Sequence, residues 1–222
     1  MVDIRVNRLG DKPLLYDRST VSDYGKSGIA FRPSMNPAFA TACDGCFAEL
    51  ILRLALAADL QVETILSGGV SRAGTGSSFH HKNRAFDFDG LLFDNGTTWV
   101  ANTFPLRRQL YLGLEAVLRM HFGTVLTFDY NKAHEDHFHF DNGTTVGFKT
   151  AAKSHVIFVQ NVIAFVYATP IGRDGLWGGE TEGALKALCA RLEIGSLSNQ
   201  ANWRAFLAVV AEEAMALDRD RR

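Results

Sequence analysis

No apolar run in this chain of 222 residues approaches the ~18 residues that a membrane-spanning helix needs, so no membrane span is expected. Charge of one sign is also missing. The 23 Lys and Arg stand against 24 Asp and Glu, a net −1, which leaves no positive excess for general nucleic-acid binding. Cysteine is scarce: Cys43, Cys46 and Cys189 give one C-x-x-C and an odd total. That argues against a paired-cysteine zinc site and against a disulfide framework. Cys43 and Cys46 stand just before an apolar helical pattern, so one reading is a redox pair. The plainer reading is two small buried side chains or a local disulfide. The first residues, Met1 to Arg8, are too polar for a cleaved leader. The expectation is a chain that stays where it is made, leaves by a route that needs no cleaved leader, or has had its leader trimmed away.

Apolar residues make up 47% of the chain and charged residues 21%, enough to bury a sizeable core. Residues 1–40 show little periodicity and read as an irregular arm. Phe47, Leu50, Ile51, Leu54 and Ala58 recur at helical spacing and predict a helix over 44–60. Strands are expected over 61–66, 84–93, 97–101, 124–128 and 137–140. Asp94-Asn95-Gly96 should turn the second of these into the third. Pro105 is expected to open a helix with Leu106, Leu110, Leu114, Val117 and Leu118 on one face. Helical patterns then follow through Val156–Val166, Ala184–Leu192 and 201–217. The chain thus reads as an α+β domain over 1–148 and a small C-terminal helical module over 149–222.

Five of the seven histidines fall in two clusters, Ser78-Phe79-His80-His81-Lys82-Asn83-Arg84-Ala85-Phe86-Asp87-Phe88-Asp89 and His134-Glu135-Asp136-His137-Phe138-His139-Phe140-Asp141. On strands, alternate residues share a face. Asp87 and Asp89 then oppose Phe86 and Phe88, while His137, His139 and Asp141 oppose Phe138 and Phe140. With the phenylalanines on the core side, both polar faces line one cleft. Converging imidazoles and carboxylates suit a catalytic zinc site with two imidazoles, one carboxylate and an open position. Positions i and i+2 lie roughly 6–7 Å apart, so one of His137 and His139 binds the ion while the other faces water or substrate. The competing readings are solvated surface strands and a ferrous two-His-one-carboxylate site. The latter usually carries a His and a carboxylate two apart on one strand.

Ser78-x-His80-x-x-x-x-Ala85-x-Asp87 resembles the Ser-x-His-x-x-Gly-x-Ala-x-Asp signature of the D-alanyl-D-alanine zinc metallopeptidases, a superfamily that includes murein endopeptidases and the hedgehog signalling domain. The stretch from Val125 to Asp141 looks most like its extensin-like branch. The resemblance spans roughly 40–145 and implies an antiparallel sheet with flanking helices. Carried over, it implies zinc on His80, Asp87 and His139, with His137 at the catalytic-base position and His134 supporting or facing substrate. Ser78 falls in the substrate-binding signature. Ser67-Gly68-Gly69-Val70-Ser71-Arg72 looks like a loose Ser-Gly-Tyr-Arg-Ser element, which assigns Arg72 to the substrate carboxylate or scissile carbonyl. Asn83 replaces the family glycine, and Asn tolerates left-handed backbone. His81 is extra and reads as a loop residue.

Asp174-Gly175-Leu176-Trp177-Gly178-Gly179-Glu180-Thr181 with Ala184 resembles the Asp-Gly-x-Phe/Trp-Gly-x-x-Thr-x-x-Ala signature of small peptidoglycan-binding helical domains. Physically the motif encodes a fold: a tight turn at Gly175 and Gly178, a Trp177 plug, and Thr181 as a helix cap. Together these resemblances imply a zinc-dependent peptidoglycan hydrolase of the D,D-endopeptidase or carboxypeptidase type, acting in the periplasm as a phage endolysin or a secreted antibacterial effector. An effector would bring secretion machinery and an immunity protein as partners. Relatives with this metal kit cleave D-alanyl–diaminopimelate, D-alanyl-D-alanine or L-alanyl-D-glutamate bonds, and the arm 1–40 and loop 69–79 are the expected selectors. The alternative is a non-catalytic, zinc-stabilised wall-binding protein.

Overall fold

The computed structural model describes residues 2–16 and 28–222; the middle of the expected arm, 17–27, lies outside the described residues. The rest of that arm is not irregular. It forms β1 (Ile4–Arg5), β2 (Arg8–Leu9), β3 (Lys12–Tyr16) and β4 (Ser34–Met35). β1 and β4 pair as a ribbon, and β3 joins the main sheet parallel to β5 (Val62–Gly69). A five-residue strand whose partner lies so far along the chain leaves no local periodic sign.

The remaining strands are β6 (Ala85–Phe93), β7 (Thr98–Val100), β8 (Thr124–Leu126) and β9 (Phe138–Asp141). The sheet runs β2-β3-β5-β6-β9-β8, with β7 also paired to β6. Apart from β3–β5 its pairings are antiparallel, and the Asp94-Asn95-Gly96 turn joins β6 to β7 as expected. The class is α+β, with a mostly antiparallel sheet and five α-helices among the described residues.

Helix α1 (Pro37–Arg53) starts seven residues before the apolar periodicity suggests and continues through a π turn, Leu54–Ala58. Its start is set by Asn36, whose side chain accepts the Phe39 amide at 3.3 Å, with Pro37 in the first turn. Helix α2 (Arg108–His121) starts later than Pro105. The Thr103 carbonyl takes the amides of Leu106 and Arg107 at 2.9 and 3.1 Å. Pro105 and Leu106 are thereby held in a turn outside the helix. Leu106, expected on the buried face, is 83% exposed. The three cysteines are buried free thiols. Burial, with nearby acidic groups, pushes Cys43 and Cys46 up, opposite to an activated redox thiolate.

The C-terminal helices are α3 (Lys153–Phe165), α4 (Gly179–Arg191) and α5 (Gln200–Arg219). They share one continuous apolar core with the sheet and α1–α2, from Phe39 and Phe88 through to Trp203 and Met215. α5 lies against α2. Buried Arg119 ties the segments together: it pairs with Glu115 at 2.8–2.9 Å and donates to the carbonyls of Val125 (3.1 Å) and Ser154 (2.8 Å). Gly175 has φ +73°, and a Cβ there would meet Lys153 and Ile157 at 2.9 Å. The buried Gln160 amide organises this turn. It accepts from the Gly175 amide at 2.9 Å and donates to Asp174 and to the Thr181 hydroxyl, both at 3.0 Å. Thr181 is therefore not the helix cap; Gly178 holds that position, and the threonine hydroxyl is drawn inward by Gln160.

The register of β6 against β9 matters most for function. Phe86 lies opposite Phe140, and Phe88 opposite Phe138. Their rings stack at 5.3 and 5.9 Å, with planes 16° and 20° apart. All four are buried beneath α1 and α2. Cross-strand aromatic pairs of this kind contribute roughly 0.2–1 kcal/mol each beyond burial, and they fix which residues meet on the opposite face.

Candidate metal centre

With that register, Asp87 on β6 stands opposite His139 on β9, and Ala85 opposite Asp141. The alternation that buries the phenylalanines turns the acids and imidazoles outward. The third member arrives from a 3-10 turn, Phe79–Lys82. Ser78 caps this turn, accepting the His80 amide at 3.3 Å. Asn83 ends it with φ +53° and ψ +36°, the left-handed geometry expected where the signature has glycine. The turn drops buried His80 over the sheet.

Three donor atoms converge. His80 Nε2 lies 3.1 Å from His139 Nδ1 and 3.2 Å from Asp87 Oδ1, and the last two are 3.1 Å apart. These residues could hold a metal ion. His80 Nδ1–H donates to the buried Val70 carbonyl at 2.9 Å, so in the neutral ring the lone pair of Nε2 is the one turned to the shared point. His139 turns Nε2 toward Asp141 Oδ2 at 3.4 Å and Nδ1 toward the shared point. Burial opposes the Asp87 carboxylate, but hydrogen bonds from His139 and His80 and the charges of His137 and His80 outweigh it. They hold Asp87 well below the ordinary carboxylate range. Burial disfavours the His139 cation, yet hydrogen bonds to Asp141 and Asp87 push it up to about 9. A cation and a proton therefore compete for this ring.

His137 sits beside the triad. Its Nε2 is 3.4 Å from Asp87 Oδ1, and its Nδ1–H donates to Asp136 at 2.6 Å. An imidazole oriented by a carboxylate, with its other nitrogen facing the centre, can accept a proton. His134 packs on both neighbours, its ring 5.3 Å from that of His137 and 5.8 Å from that of His139. Its Nδ1–H donates to Asn131 at 2.6 Å. Burial, then the charges of His137 and His139, lower it to about 4, so it is neutral near pH 7.

The other sequence candidates are placed as follows. Arg72 is exposed; its amide donates to the His80 carbonyl at 3.2 Å, and its carbonyl accepts from His81 at 3.0 Å. Its backbone thus braces the 3-10 turn while its side chain points to solvent. Ser78 serves as the cap of that turn. His81 stays outside the triad. Val70, Asp136 and Asp141 orient the three central histidines and were not assigned from sequence. For the two acids the signal was there, since each stands one or two residues from a candidate histidine.

Residues 67–151 match the family model of the extensin-like protein C-terminus. The matched stretch holds all of these side chains and stops just before α3. No curated protein and no solved structure matches the chain.

Proposed function

We propose that this chain is a zinc-dependent peptidoglycan hydrolase that cleaves a peptide bond in the murein stem or cross-link. The observation that carries the reading is the triangle of His80, Asp87 and His139 donor atoms with edges of 3.1–3.2 Å. Ligand atoms around a tetrahedral zinc with bonds of about 2.0–2.1 Å stand about 3.3 Å apart. Two neutral imidazoles and one carboxylate also suit its borderline-soft chemistry. The three residues of the triangle all lie within the 67–151 stretch that matches the extensin-like C-terminus.

Zinc, when bound there, supplies Lewis-acid polarisation of a carbonyl and makes water a better acid near neutral pH. The chain's own residues handle the protons. His137 Nε2 takes the proton from the attacking water as the new C–O bond forms. It returns that proton to the leaving amine as the C–N bond breaks. Asp136 holds the ring in this orientation and steadies the imidazolium between the two transfers. The solvent-facing Arg72 is the cation available to a developing oxyanion or a substrate carboxylate, while His134, neutral with its N–H committed to Asn131, packs beside the base. The setting that fits is a phage endolysin or an antibacterial effector acting on the periplasmic wall.

Purified protein incubated with sacculi should release muropeptides whose masses identify the scissile bond. A chelator should stop this release and zinc restore it. Release that persists after complete metal removal refutes the proposal. Zinc retention without any release points instead to a non-catalytic wall-binding protein.

A further inference from the structure

We infer that Asp141 is a positioning residue for the metal centre, dictating which ring nitrogen His139 presents. The inference rests on the reading of His80, Asp87 and His139 as a metal site. The two histidines meet the shared point with different atoms, His80 with Nε2 and His139 with Nδ1. For His80 the choice is made by a backbone carbonyl, that of Val70. For His139 the group facing the far nitrogen is the buried Asp141 carboxylate, 3.4 Å from Nε2. An acceptor there keeps the proton on Nε2 and the lone pair on Nδ1.

The carboxylate is itself held in place. Its Oδ1 accepts the Gly143 amide at 2.7 Å, which leaves Oδ2 for the ring. Gly143 has no room for a side chain: a Cβ would lie 2.3 Å from ring carbons of Phe79 and 2.9 Å from Asp141 Oδ1. Phe79 directly precedes His80. The same close contact therefore packs the turn carrying one histidine against the carboxylate that orients the other.

This arrangement makes a counterintuitive forecast. Asp141→Ala and Asp141→Asn remove the same charge and differ in what faces His139 Nε2. In the asparagine variant the oxygen stays with the Gly143 amide, the shorter of the two contacts, and the –NH2 is turned to the ring. A donor there favours the proton on Nδ1, the atom needed for ligation. This is the wrong-tautomer effect known when a carboxylate orienting a histidine is replaced by an amide. The isosteric variant should thus bind metal less tightly than the truncated one.

The test is zinc affinity of the full chain at neutral pH, by competition with a chromophoric chelator, for wild type, D141A, D141N and G143A. Long-range proton–nitrogen NMR of the zinc-loaded wild type accompanies it. We expect losses of about tenfold for alanine and about a hundredfold for asparagine, the span usual for an outer partner of a ligand. Weaker binding is also expected for G143A, which keeps the carboxylate but displaces it. The NMR spectrum should show His139 ligated through Nδ1. Asparagine binding as tightly as alanine, G143A binding like wild type, or ligation through Nε2 each overturns the inference. The wild-type spectrum and G143A decide it even where an Asp141 variant does not fold. A wild type without zinc affinity overturns the metal reading as well, whereas tight wild-type binding with equal Asp141 variants overturns this inference alone.

Discussion

His155 offers a sharp test of the electrostatics at the junction between the sheet and the C-terminal helices. Its Nδ1 accepts the Lys149 amide at 3.1 Å, and its Nε2–H donates to the Gly123 carbonyl at 3.2 Å. Both ring nitrogens are committed in the neutral form, and protonation would set two N–H groups against each other. The residue is 3% exposed. Burial first, then the charge of Arg119, lower it from 6.5 to about 3. Between those values the unfolded chain binds a proton that the folded chain refuses. Stability therefore falls as pH drops through that window and levels off below about 3. One pKa unit is worth about 1.4 kcal/mol, so the whole shift is worth about 5 kcal/mol. The part between pH 6.5 and a working pH of about 4.5 is worth about 2.7 kcal/mol. His134, lowered to about 4, acts in the same direction, whereas His139, raised to about 9, contributes stability that is lost as pH rises above 6.5. A variant comparison isolates His155. His155→Gln keeps one acceptor and one donor but cannot titrate. Urea unfolding of both proteins at neutral pH and at about pH 4.5 should show the acid-induced loss smaller in the variant by about 2–3 kcal/mol. A difference below about 0.5 kcal/mol, well short of the linkage expectation, would mean that the ring is not held neutral and would refute the argument.

Two further outcomes follow from the site. His139→Ala should abolish tight zinc binding, while His137→Ala should keep zinc and lower turnover by about 10²–10⁴-fold. Zinc titration alongside muropeptide release distinguishes them, and the opposite pattern would exchange the two roles. Asn83→Ala should destabilise the chain by about 1–2 kcal/mol through its left-handed backbone, and Asn83→Gly should cost less because glycine reaches that region freely. Equal unfolding midpoints for alanine and glycine would argue that the turn does not hold this geometry.

The meeting of Asp87 and His139 was legible in the sequence because period-two alternation links burial and chemistry on the same strands. Phe86, Phe88, Phe138 and Phe140 point inward, so Asp87 and His139, which lie between them, must point out. Asn83 was legible for a similar reason, since few residues other than glycine accept its backbone. The rest depends on distance. β3 pairs with a strand about fifty positions away, and nothing in Lys12–Tyr16 announces a parallel partner. The early start of α1 was written in Asn36-Pro37, a capping pair that apolar periodicity alone passes over. Leu106 reads as helical only until the Thr103 carbonyl takes the two amides that follow Pro105. The roles of Val70, Asp136 and Asp141 needed coordinates, because a carbonyl or carboxylate beside a histidine orients it only when the angles allow.

The stacked phenylalanines have one more consequence. Sliding β9 along β6 by a single residue would swing its imidazole, His139, into the greasy interior and its aromatic rings into the cleft. On the metal reading proposed above, affinity for the ion is in this sense a gauge of strand alignment. Mutations that loosen the aromatic layer, far from any ligand, should surface as leakage of the ion well before the protein unravels.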